Sequence, residues 1–191
     1  LAVFLKKKNS IGKTYRISNS NDLEKFEKSR KLLKIKSKQV TAEIGMSAIP
    51  DEEFPKHVKM ITQHLGSAQN YHFLKWGELF NERQKLVHIV FGEKVRLAHK
   101  QMLENGLDAE YAKAIVTYLA LGLDRLIDFG STLCVMNPTG GRGIVHTFKD
   151  KSLQMTWDYV ESNPFNPIAA GWPVACKKNE KWIEHVLSFS N

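Results

Sequence analysis

Two stretches of strongly periodic hydrophobicity, separated by a short polar break, constrain this chain more than any other feature. Val87, Phe91, Val95, Ala98 and Met102 recur at spacings of four and three, which predicts a helix from about Asn81 to Glu104. Asn105-Gly106 supplies the residues of a left-handed helix end. Asp108 is placed to cap a second helix reaching about Phe129, with Ala112, Ile115, Val116, Leu119, Leu123, Leu126 and Ile127 as its apolar stripe. Gly130 follows as a stop signal. A connection this short leaves two long helices little choice but to pack as an antiparallel hairpin.

The remaining elements are shorter. Leu1–Leu5 and Tyr15–Ile17 read as strands of a hairpin turned at Asn9-Ser10-Ile11-Gly12. Ser20 or Asn21 is a plausible start for a helix to about Ile35, packed through Leu23, Phe26, Arg30 and Leu33. Pro50, Pro55 and Asp51-Glu52-Glu53 mark residues 39–55 as an irregular connector. Short extended pieces are expected over 131–148, around Thr139-Gly140-Gly141-Arg142-Gly143. A helix from about Asp150 to Glu161 should break at Asn163-Pro164-Phe165-Asn166-Pro167, and a last helix should cover Asn179 to Ser188. The expected fold is mainly α with a small β component (α+β). Residues 1–60 form a basic hairpin-plus-helix segment and 61–191 a helical core segment of one compact unit. The first residue is Leu rather than Met, so the sequence is expected to be an excerpt of a longer protein.

Charge separates the two segments. Of the net +8, residues 1–60 carry +7 and residues 61–191 only +1. That asymmetry suits a polyanionic partner, nucleic acid above all, or else simply a solvated basic face. No run of apolar residues is long enough to span a membrane. The lysines at 6–8 follow the apolar N-terminal stretch instead of preceding it, the reverse of a secretory signal. Cys134 and Cys176 form no Cys-x-x-Cys pair, so a four-cysteine zinc site is ruled out within the chain. Two thiols of this kind fit a cytoplasmic protein.

The usual catalytic patterns are missing. The glycine-rich loop lacks the Lys-Ser/Thr and the following helix of a phosphate-binding loop, and reads as a turn between strands. Asn163-Pro164-Phe165 is one proline short of the Asp/Asn-Pro-Pro-Tyr/Phe of amino-methyltransferases, and reads as a helix-ending turn with Phe165 on the core. The seven histidines, His57, His64, His88 and His99 among them, show no metal-ligand spacing. No serine sits in a nucleophile elbow. Asp124, Arg125 and Asp128 read as an ion-pair cluster that orients the next loop, and Trp157, Asp158 and Glu161 suggest no catalytic constellation.

Several stretches taken in order nevertheless resemble one family. They are Lys75-Trp76-Gly77-Glu78-Leu79-Phe80 with Arg83-Gln84, Tyr111-Ala112-Lys113-Ala114 with Tyr118-Leu119-Ala120-Leu121, and Leu123-Asp124-Arg125-Leu126. Ser131-Thr132-Leu133-Cys134, Thr147-Phe148, Met155-Thr156-Trp157-Asp158-Tyr159 and Glu161-Ser162-Asn163-Pro164-Phe165 complete the series, with Lys13-Thr14-Tyr15-Arg16 near its start. Together they are similar to the central region of zinc-ribbon-containing adenine-specific DNA methylases. The resemblance implies that the S-adenosylmethionine motif lies before this region and the catalytic Asp-Pro-Pro-Tyr after it. It also implies that the rest of such a methylase is this chain's partner. Neither motif occurs here, so this chain holds no cofactor of its own on that reading.

The resulting expectation is a non-catalytic segment that positions nucleic acid, most naturally DNA. Lys25, Lys28, Lys31, Lys34, Lys36 and Lys38 would contact phosphates, with Trp76 or Arg83 nearer the bases. The rival is a structural spacer or protein-interaction module buttressing the catalytic domain, with Trp76, Phe80 and Trp157 as core or interface residues.

Overall fold

Four α-helices account for about half of the described residues, and each begins or ends where the local sequence satisfies its loose backbone groups. The computed structural model describes residues 2–5, 14–55, 67–137, 143–149, 152–167 and 170–189. Helix α1, Ser20–Ile44, starts at a capping box in which Asn19 Oδ1 accepts from Asp22 N at 3.3 Å and the Asp22 carboxylate accepts from Asn19 N at 2.9 Å. It runs well past Ile35 because Val40 and Ile44 continue the buried face begun by Leu33. Gly45, at φ +71°, ends it in the left-handed conformation that glycine adopts without strain.

Helix α2, Glu82–Glu104, opens on a second capping box, Asn81 with Gln84, both bonds 2.9 Å. Helix α3, Ala109–Asp128, is capped by Asp108, whose carboxylate accepts from Tyr111 N at 2.9 Å. The hairpin expected of these two helices is present: Gly92 lies against Leu123, and Gly130 against His88. Helix α4, Trp172–Leu187, begins earlier than the expected Asn179, with Pro173 in its first turn, where the missing N–H costs nothing.

The helices form a row in which each packs on the next. Lys36 pairs with Glu93 and Glu43 with Arg96, so α1 and α2 run in the same direction. Leu86 and Ile89 of α2 meet Leu33 and Val40 of α1. A different flank of α2 meets α3 and α4, with Phe91 5.2 Å from the Trp172 ring. Helix α2 is thus lined on two flanks, a wider apolar surface than its single stripe suggests.

A second core is built almost entirely from irregular chain. Phe54, Ala68, Leu79, Leu133 and Leu153 are buried together, with Phe73, Trp76 and Phe80 against them. Single-turn 3-10 helices at Ala68–Tyr71 and Trp76–Leu79 lie within this region. Backbone bonds tie its strands of chain together: Phe54 N to Leu74 O (2.9 Å), Ala68 N to Leu153 O (2.7 Å), Thr132 N to Leu79 O (2.8 Å) and Val160 N to Cys134 O (2.9 Å). These bonds explain why the helix expected up to Glu161 does not form over 152–161. The backbone there is committed to neighbours distant in sequence. Gly77 sits so close to this weave that a Cβ would fall 2.5 Å from Pro50 O.

Two small antiparallel ladders complete the described chain. β1, Ala2–Leu5, pairs with β2, Thr14–Ile17, in the register Ala2 to Ile17 and Leu5 to Thr14. β3, Val135–Met136, pairs with β4, Ile144–Val145. The turn at Asn9–Gly12, residues 139–142 of the glycine-rich loop, and His57 and His64 lie outside the described residues. No helix among the described residues is long and apolar enough to cross a membrane.

Candidate nucleic-acid interface

The basic residues of α1 separate into two groups because the helix has one packed face. Leu33 and Val40 define that face. At 100° per residue, Lys28, Lys31, Lys34 and Lys38 all fall within about 70° of the opposite direction, over roughly 15 Å of helix. These four and Lys25 are exposed, and none of the five is in a salt bridge. Lys36 points the other way: its Nζ is 2.6 Å from Glu93 Oε1 on α2, so its charge is already compensated. Exposed Ile35 stands among the free lysines and exposed Leu32 at their edge, apolar surface that lysine stems can cover. Glu24 and Glu27 are the acidic residues at the N-terminal end of the same face, and Glu27 is paired with Arg30.

The two further residues expected near nucleic acid have different surroundings. Arg83 stands beside α1, its guanidinium 5.5 Å from the centre of the Phe26 ring and paired with Glu161. Arg30 approaches the same ring at 5.7 Å. Trp76 belongs to the loop core, edge-on to Phe54 with ring centres 4.6 Å apart. The structure therefore joins Arg83, but not Trp76, to the neighbourhood of the basic helix.

Other expectations need correction. Asp124, Arg125 and Asp128 form no ion-pair cluster: Arg125 lies over the Phe129 ring at 4.7 Å instead. Asp128 does hold the following chain, accepting from Phe148 N at 3.3 Å and pairing with His146 at 3.0 Å. Trp157 is 75% exposed, edge-on to Tyr71, and Phe165 is 70% exposed, its ring tilted against Phe91, so neither fills the core. Trp76 and Phe80 do pack against it. Cys134 and Cys176 are both free.

A cleft opens next to Arg83 where two of the motifs quoted above, Arg83-Gln84 and Glu161-Ser162-Asn163-Pro164, meet. It has a volume of about 280 Å³ and lies between the first turns of α2 and the segment 161–164. Its composition, with Gln84 and His88 from α2 and Glu161 from a distant stretch of chain, becomes visible only on folding. Glu161 holds the two sides together, accepting from Asn81 Nδ2 and pairing with Arg83. Burial pushes the His88 imidazole down to about 4, so the ring is neutral at pH 7.

Comparison with family models, with curated proteins and with solved structures finds no match for this chain.

Proposed function

We propose that this chain is a nucleic-acid-positioning segment that grips the phosphate backbone with the outer face of α1. The observation that carries the reading is the set of lysines at 28, 31, 34 and 38: one face, exposed, with no ion pair. Proteins place uncompensated lysines along a helix in this way when an external polyanion supplies the counter-charge. Arg83 stands beside the same helix, but its guanidinium packs on Phe26 and is already paired with Glu161, so it is not part of this grip. The ordered motifs that resemble adenine-specific DNA methylases point to DNA as the polyanion. They give the chain a non-catalytic place in a cytoplasmic S-adenosylmethionine-dependent parent enzyme.

The test compares the chain with the K28A/K31A/K34A/K38A variant for binding to labelled duplex DNA and to RNA. The reading expects the variant to lose most of its affinity, and DNA to be bound at least as well as RNA. Equal binding by variant and parent would overturn it.

A second reading has its own observation. Trp182 and Phe189 at the C-terminal end are 65% and 76% exposed, and Trp157 and Phe165 are exposed as well. Aromatic surface of that extent suits a spacer that buttresses another domain. Such a spacer binds no nucleic acid, so the same experiment separates the two.

A further inference from the structure

Gln84 is a buried polar side chain that the rest of the molecule leaves half satisfied. Only 6% of it is exposed. Its Oε1 accepts from the Asn81 backbone N–H at 2.9 Å. An N–H only donates, so this bond settles which end of the amide is oxygen. The other end, Nε2, has no hydrogen-bond partner. Buried donors are rarely left in this state. Gln84 is also one of the residues that line the cleft between α2 and residues 161–164, so the unpaired donor belongs to a side chain of that wall.

The rest of the cleft narrows the chemistry of that ligand. Arg83 and Glu161 neutralise each other, and the Glu161 carboxylate also accepts from Asn81. An incoming anion would have to displace Glu161, and an incoming cation would find that carboxylate already taken. The His88 ring lies opposite Gly130, whose missing side chain makes room for it: a Cβ there would sit 2.7 Å from His88 Nε2. No hydrogen bond reaches that ring among the described residues, and its neutral form offers one donor and one acceptor. Val87, Leu126 and Pro164 supply apolar walls. The far wall is fixed by its own bonds, Phe165 N to Asn163 Oδ1 at 3.0 Å and Trp172 N to Pro164 O at 2.7 Å.

We propose that this cleft binds a small neutral molecule bearing a carbonyl oxygen, of the carboxamide or urea kind, with that oxygen accepting from Gln84 Nε2. An N–H on the same group has the His88 ring nitrogen as its acceptor, and the apolar walls take a flat hydrocarbon portion. The volume lies at the lower end of the range for small-molecule sites, enough for one ring and its polar head rather than a nucleotide. The assignment does not depend on the nucleic-acid reading.

Benzamide, benzoate and benzylamine provide a matched set of probes, neutral, anionic and cationic, titrated into the full chain by calorimetry and NMR. Benzamide should bind about tenfold more tightly than either charged analogue, the worth of one buried hydrogen bond. Gln84→Glu keeps the capping acceptor but removes the donor, so it should retain the melting temperature and lose about tenfold in benzamide affinity. Absence of benzamide binding, equal affinity for benzoate, or unchanged affinity in the variant would each overturn the proposal. If the variant does not fold, the Gln84 side-chain NH₂ resonances of the parent protein decide. They should shift saturably with benzamide, and resonances unmoved at saturation contradict the assignment.

Discussion

The row of helices and the loop-built core use similar side chains to different ends. In the loop core, Phe54, Ala68, Leu79 and Leu133 are buried almost completely, and backbone bonds between distant stretches surround them. In the helical row, the buried set facing α1 is only Leu33, Val40 and Ile89, while Leu32, Ile35, Leu97, Tyr111 and Leu121 remain exposed. The irregular region therefore carries a tightly enclosed interior of its own, more complete than the one between α1 and α2. The α1 side of the helical row carries every lysine proposed to meet nucleic acid. Secondary structure is a poor guide here to where stability resides, since helices can satisfy their own backbones while packing thinly.

The largest expected effect follows from that contrast. Leu79→Ala should cost about 4 kcal/mol, because a fully enclosed site cannot collapse around the lost side chain, whereas Leu33→Ala at the edge of the row should cost about 2 kcal/mol. Urea denaturation of both variants checks the ordering, and a reversed order would break the comparison.

His88, edge-on to Phe80 where the two regions meet, gives the next effect. Its folded pKa of about 4 lies below the ordinary value of 6.5. The unfolded chain therefore takes up the proton first as pH falls. Stability is unaffected above about pH 6.5, declines between pH 6.5 and 4, and levels off below, for a total of about 3 kcal/mol from this group. The difference between the parent and His88→Phe, followed against pH, isolates it from the carboxylates. One of those, Asp22, is held well below the usual carboxylate range by hydrogen bonds from Arg16 and the Asn19 backbone. A smaller loss belongs to the helical row alone: Asp108→Ala removes the cap of α3 and should cost about 1 kcal/mol by thermal melting.

What could be read in the sequence follows the same division. The α2–α3 hairpin was legible because its signals are local: periodic stripes, Asn81 with Gln84, Asn105-Gly106 and Asp108. Helix α1 outran its expected end because its stripe thins to Val40 and Ile44 beyond Leu33, leaving Gly45 as the sole clear stop. Helix α4 starts ahead of its expected Asn179, with Pro173 in a first turn that reads as loop in the sequence. Residues 152–161 have helical composition, and only contacts with Ser67, Ala68 and Cys134 keep them irregular. The lysines of α1 could be listed from the sequence, but separating Lys36 from the others required Glu93 across the helix interface. The cleft was invisible for the same reason, since Arg83 and Glu161 are 78 positions apart.

The smallest expected effect on stability accompanies the largest expected effect on function. Replacing Lys28, Lys31, Lys34 and Lys38 by Ala should change unfolding free energy by no more than about 0.5 kcal/mol for each site, since these side chains touch little. The direct test of the account is the slope of log affinity for duplex DNA against log salt concentration, measured for the parent chain and this variant. A phosphate grip predicts a steep negative slope in the parent, flattened in the variant by about 0.9 for each lysine that contacts a phosphate. Binding that is absent at low salt, or a slope identical in the two proteins, would contradict it.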